Sequence, residues 1–163
     1  MATVTAAVKY IRDTLSVIPT ATASRFNVSP VSFVDADRVP GARLELEFRQ
    51  GKSRVFEVDI AGAETEIVAL GQSVPSSFTH RIPVRVRYDV RGVAAEGRIE
   101  LQAKNDQLCI IDAVHRGEWY NVSGIVHLTA DAGPIQEFNL RDEGGNEYAG
   151  VISETVITVS HNL

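Results

Sequence analysis

Cysteine is almost missing from this chain: Cys109 is the only one in 163 residues. A lone cysteine excludes an internal disulfide and suits a reducing compartment. The Asn-x-Ser triplets at Asn27 and Asn121 are therefore read as chance. No apolar run approaches the roughly 20 residues that cross a bilayer. The first residues, MATVTAAVKYIRDTL, lack the basic start and apolar block of a secretory signal. Lysine is scarce too, with Lys9, Lys52 and Lys104 the only three among 16 basic residues. No G-x-x-x-x-G-K-[ST], G-x-G-x-x-G or G-x-S-x-G occurs, and Gly144-Gly145 stands among acids that would repel a phosphate. What remains, 44% hydrophobic and 23% charged residues, is the make-up of one soluble globular domain with room for a core.

The net charge of −5 is unevenly placed. From Asp131 to the end, six acids (Asp131, Glu137, Asp142, Glu143, Glu147, Glu154) face one base, Arg141, which accounts for the whole of it. Arg81 to Arg98 instead carries five arginines against Asp89 and Glu96. A chain with a basic strip and an acidic end can pair with itself, within one fold or between copies.

The basic strip is also the most regular stretch. In Phe78–Arg91, one parity holds Phe78, His80, Ile82, Val84, Val86, Tyr88 and Val90. The other holds Arg81, Pro83, Arg85, Arg87, Asp89 and Arg91. A period of two predicts an extended central strand over 78–91 with an apolar face and an arginine face. Before it, Val4, Ala7, Val8, Ile11 and Leu15 set an amphipathic helix over 3–16, stopped near Pro19. Residues 19–42 read as a loop, with room for one short strand, either packed on its own domain or reaching a neighbour as an arm. Alternation on both sides of Gln50–Ser53 predicts a hairpin over 43–60, and 61–77 has no clean period and reads as loop.

After the central strand, Leu101, Leu108, Ile111 and Val114, with Ala103, Ile110 and Ala113 nearby, suggest the apolar stripe of a helix over 93–115, although Gly97 inside it costs about 1 kcal/mol relative to alanine. Gly117 caps it. Three strands follow within 121–160: 121–130, 135–140 and 147–160. The turn at Gly144-Gly145-Asn146 joins the last two. The order predicts a single α+β domain over 1–163, mostly antiparallel β-sheet with two helices packed on one face.

No catalytic constellation stands out. Cys109, Asp112 and His115 resemble a nucleophile, orienter and base, but six helical residues separate the outer two by about 9 Å and turn them to different faces. Leu108, Ile110 and Ile111 around the thiol predict a packed cysteine. Asp112 and His115 at i, i+3 offer two metal ligands, yet His80, His127 and His161 stand singly without ligand spacing. Asp35 and Asp37 lack the glycine and distal glutamate of a calcium loop, which leaves a turn role. No metal or cofactor is expected. The arginine row reads either as a solvated sheet face, paired across strands with Glu45, Glu47 or Glu154, or as a surface for an acidic protein or nucleic acid. With a pI of about 5.4 and Tyr88 on the other parity, duplex binding is disfavoured.

The helix over Thr3–Ser16, the strand His80-Arg81-Ile82-Pro83-Val84-Arg85-Val86-Arg87-Tyr88, the helix entering Ile110-Ile111-Asp112-Ala113-Val114 and the β-rich end together resemble tail terminator proteins of long-tailed bacteriophages, and more broadly neck and head–tail connector proteins. That resemblance implies a non-enzymatic virion protein of the tail and neck, assembled in the host cytoplasm. It implies a homohexameric ring at the head-proximal end of the tail that ends tube growth and offers a head-joining surface. Its partners would be its own copies, the tail-tube protein and a head-completion or connector protein. DNA would pass through the ring without sequence-specific binding, and no membrane would be involved. Rings need one surface to meet a different surface on the next copy; Arg81, Arg85, Arg87 and Arg91 on one side and Asp142, Glu143 and Glu147 on the other are the candidates. Two other readings stand beside it. One is a small α+β ligand-binding or accessory domain. The other is a hydrolase with a pocket holding at least two of His80, Asp112, His115 and His127.

Overall fold

Alternation in the central strand does what a period of two requires. Ile82, Val84, Val86 and Tyr88 are all buried, while Arg81, Arg85 and Arg87 point to the opposite face. In the computed structural model, residues 4–26, 28, 33–38, 54–69, 75–89, 98–141, 144–145 and 147–162 are described. Their elements, in chain order, are α1 (Val4–Ser16), α2 (Thr20–Arg25), β1 (Val34–Asp35), β2 (Val55–Val58), β3 (Glu64–Ala69), β4 (Pro75–Asp89), α3 (Arg98–Arg116), a 3₁₀ turn (Trp119–Asn121), β5 (Ile125–Arg141) and β6 (Glu147–Asn162).

The strands form one sheet in the order β1-β2-β4-β6-β5. β3 joins the same edge of β4 as β2 but further back: β2 pairs with Val84–Arg87, and β3 with Pro75–Arg81. Every pairing is antiparallel except the short β1–β2 contact. This is an α+β fold, and its core lies between the sheet and the helices. Ala7, Val8, Ile11 and Leu15 of α1 join Ile99, Ala103, Ile110, Ala113 and Val114 of α3 over Ile82, Val84, Val86, Val151, Ile157 and Val159. Each such buried Leu, Ile or Val contributes roughly 1.5–3 kcal/mol relative to exposure. Tyr10 fastens α1 to α3 by donating its hydroxyl to the Val114 carbonyl at 2.7 Å.

Several expectations are corrected. The loop over 19–42 contains α2 as well as the expected short strand, β1. Pro19, expected only to stop α1, also starts α2, because its carbonyl accepts from the N–H groups of Thr22 and Ala23. The stretch 61–77 is not loop throughout: its described residues include β3 and the start of β4. Glu64, Thr65, Glu66 and Ile67 are all exposed, so no buried face imposes a sequence period on this edge strand. Of the hairpin over 43–60, residues 43–53, with the first arm and the turn, lie outside the described residues. The second arm is β2, with Phe56 and Val58 buried and Ile60 exposed in the turn that follows.

The second helix is described from Arg98, residues 93–97 lying outside the described residues, and the expected stripe holds in part: Ala103, Ile110, Ala113 and Val114 are buried. Leu101 and Leu108 are 62% and 48% exposed, whereas Asp106 and Gln107 are buried. The inward face runs through Ile99, Ala103, Asp106, Ile110 and Ala113, spaced by 3 or 4 residues but interrupted by a carboxylate.

The closing sheet has two strands where three were expected. β5 runs 17 residues straight through Gly133-Pro134, absorbing them as a register shift between Ala132 and Ile135. A Cβ at Gly133 would lie 2.8 Å from the Glu154 carbonyl oxygen. Gln107 locks the bulge by donating to the carbonyls of Gly133 (3.1 Å) and Glu154 (2.8 Å). The expected turn joins β5 to β6, with Gly145 at φ 80°.

Candidate functional site

The helices cover one face of the sheet, and the arginine row lies on the other. Its three described members are matched by carboxylates across the strands. Arg85 stands opposite Glu57 on β2 and Glu154 on β6. Its Nε donates to Glu154 at 3.1 Å, and its guanidinium lies 2.8 Å from Asp59. The bond to Glu154 and the nearby acids hold its proton still more firmly than usual. Arg87 lies 3.6 Å from Glu57, and Arg81 lies 3.7 Å from Glu64. Arg81 is the most accessible of the three, its side chain 61% exposed.

Glu154 was expected as a partner. Glu57, Asp59 and Glu64 were not, although the alternations Glu57/Asp59 and Glu64/Glu66 carried the signal. Glu66, opposite Thr79, and Asp131, opposite Val156, share this face. Three arginines therefore meet six acids, and the described face as a whole is acidic rather than basic. Two shallow grooves cross it. One, of about 210 Å³, is lined by Arg85, Arg87, Pro134, Gln136, Ile152 and Glu154. The other, of about 240 Å³, lies between Glu64, Arg81 and Glu154. Arg91, Asp142 and Glu143 lie outside the described residues; Glu147 opens β6, and only its backbone is described.

The residues weighed for chemistry are scattered. Cys109 is fully buried, and burial, then Asp106 and Asp112, pushes its thiol up to about 11. Asp112 holds Arg25 of α2 and Arg116 of its own helix. His115 Nε2 accepts from the Ala130 N–H at 3.3 Å, which closes a backbone donor on the edge strand β5. His127 is exposed. Asp35 and Asp37 form the expected turn: Asp35 Oδ1 accepts from the Asp37 N–H, and both face Arg12 of α1. Among the described residues no group of three or more His, Cys, Asp or Glu side chains is placed to hold a metal ion.

Two polar clusters were not legible in the sequence. Buried Asp106 accepts from Arg54 Nε at 2.9 Å and from the Tyr88 hydroxyl at 2.7 Å. With its amide oxygen turned toward the guanidinium, Gln102 also accepts from Arg54, at 3.1 Å. Burial outweighs the help of Tyr88 and Arg54 and raises the Asp106 carboxyl above its ordinary range; burial likewise raises Tyr88. The second cluster joins His80 and His161, expected to stand singly, with ring centroids 5.1 Å apart.

These arrangements offer ion pairing and packing; Cys109 is buried, Asp112 pairs with Arg25 and Arg116, and His115 meets the Ala130 backbone, so these three do not act as nucleophile, orienter and base. Compared with known protein families and with curated proteins, the sequence matches none.

Proposed function

We propose that this chain is a non-catalytic virion subunit of the tail-terminator type, building a homohexameric ring at the head-proximal end of a long phage tail. The observation that carries the reading is the sheet, whose described helices pack against one face and leave the arginine row on the other. Strands of 15, 17 and 16 residues, β4, β5 and β6, present a broad polar face whose arginines are already neutralised. Such a face suits contact with other polypeptides or the lining of a passage. Its excess of acids disfavours phosphate binding, so DNA can slide past it without sticking. Grooves of about 210 and 240 Å³ fall below the roughly 300–1,000 Å³ of ordinary ligand pockets. In this reading the ring ends tube growth, meets the tail-tube protein on one side and a head-completion or connector protein on the other, and assembles in the host cytoplasm. Neighbouring subunits join through the row's most exposed described member, Arg81, and the acidic end at Asp142, Glu143 and Glu147.

Solution mass and negative-stain images of the full chain, alone and with tail-tube protein, test it. Six-fold rings or capped tubes are expected. A monomer that never associates, with or without tube protein, refutes it. Arg81→Glu probes the row best, because its pair with Glu64 is exposed and such pairs contribute roughly 0–1 kcal/mol. The variant should keep its fold and lose ring formation; unchanged rings would remove Arg81 from the interface.

A further inference from the structure

The assembly reading leaves unused two buried imidazoles on the helix-covered face, where β3 joins β4. We propose that His80 and His161 form an acid-sensitive latch whose protonation frees the edge strand β3 from β4. His80 shares the parity of Ile82 and Val84 and is 8% exposed; His161 is 3% exposed. Their rings meet edge to face, at 63° and 5.1 Å between centroids. His80 Nδ1 shares a 2.9 Å hydrogen bond with the Thr65 hydroxyl of β3. Neither ring nitrogen of His161 has a hydrogen-bond partner among the described residues.

A neutral pair fits this site, and a charged one does not. The neighbouring strands bring no compensating charge. β3 contributes Thr65, while Glu64 and Glu66 fall on the opposite parity, opposite Arg81 and Thr79. β4 contributes Phe78, stacked on His80 at 6.4 Å. β5 contributes Ile125, while the register shift that follows leaves His127 exposed opposite Ser160. β6 contributes Val159, the register partner of His80. No carboxylate among the described residues acts on either ring: burial alone lowers His80, and burial, then His80, lowers His161. Thr65 can accept from a protonated His80, but His161 has no such acceptor, and a second proton must enter beside a first positive charge. β3 is the element able to yield, because its described side chains are exposed and its outer edge has no partner among the described residues.

The sign follows from linkage. Both closed-state pKa values lie below the ordinary imidazole value near 6.5, so at higher pH the latch is unaffected. As pH falls through that value, the opened form takes up protons that the closed form refuses. Opening then grows by up to about tenfold per pH unit for each histidine, or about a hundredfold for both, until the lowered pKa values are reached.

Native-state hydrogen exchange of the full chain between pH 7.5 and 5.5, corrected for the intrinsic pH dependence of exchange, tests the latch. Amides of 64–69 should lose protection below pH 6.5 relative to those of Val55–Val58, by up to about tenfold per unit for each histidine, and His161→Leu should flatten that slope. Equal slopes in both strands, or an unchanged slope in the variant, would overturn the proposal. Should the variant fail to fold, histidine NMR titration of the unaltered chain decides: His80 and His161 should titrate below the ordinary imidazole value near 6.5, and a value at or above it for either ring ends the idea.

Discussion

Replacing Asp106 by leucine strips the fold of the carboxylate that both Arg54 and Tyr88 use. Arg54 is buried, so its guanidinium would lose its counter-charge, keeping Gln102 as a neutral acceptor, and the Tyr88 hydroxyl would lose its acceptor. Removing one member of a buried ion pair typically costs about 3–5 kcal/mol, mostly for the charge left behind. Set against a total stability of roughly 5–15 kcal/mol, that is a large fraction. With a urea slope near 2 kcal/mol/M, the midpoint should fall by about 2 M at unchanged slope. The double variant, Arg54→Met with Asp106→Leu, should recover most of the loss. Burial already pushes Asp106 toward its neutral form, so the pair is held at a desolvation cost that an apolar replacement avoids. Methionine keeps a Cβ at Arg54, where φ is 81°, so backbone strain is common to every corner of the cycle. Trp119, the single tryptophan, reports unfolding by its fluorescence. A single-variant shift under about 0.5 M, or a double variant as unstable as the sum of the singles, would refute the reasoning.

Two further predictions separate the faces of α3. Leu108→Glu should change stability by no more than about 0.5 kcal/mol, whereas Ile110→Ala should cost about 2–5 kcal/mol in the same urea titration; similar losses would mean that the helix face is misassigned. Cys109, with a thiol near 11, should resist a thiol reagent at pH 8 in the native chain and react only as it unfolds. Rapid stoichiometric labelling of the native chain would overturn that placement.

The central strand, the first helix, the β5–β6 turn and the α+β class were legible because each rests on local periodicity or turn chemistry. The edge strand β3 was hidden because water on both sides leaves alternation unenforced. The face of α3 was legible at Ala103, Ile110, Ala113 and Val114 but misread at Leu101 and Leu108, because Asp106 and Gln107 take core-facing positions that a hydrophobic count assigns to leucines. β5 looked like two strands because Gly133-Pro134 normally interrupts pairing; here Gln107, far away in sequence, secures the bulge. The arginine row was legible as a row, and its pairing with Glu154 as one of two readings, but Glu57, Asp59 and Glu64 were not foreseen as partners. Its meaning depends on which strands lie beside β4.

By itself, the order of residues determined which segments alternate, which turn, and that one parity of β4 is apolar and the other arginine-bearing. Those are properties of a few neighbouring residues and the stereochemistry of the chain. Only the tertiary structure decided that Glu57, Asp59 and Glu154 surround Arg85, that Asp106 serves Arg54 and Tyr88, and that two distant histidines share one buried site. Charge and burial act through space, and residues 81 positions apart become neighbours only when β6 lies down against β4.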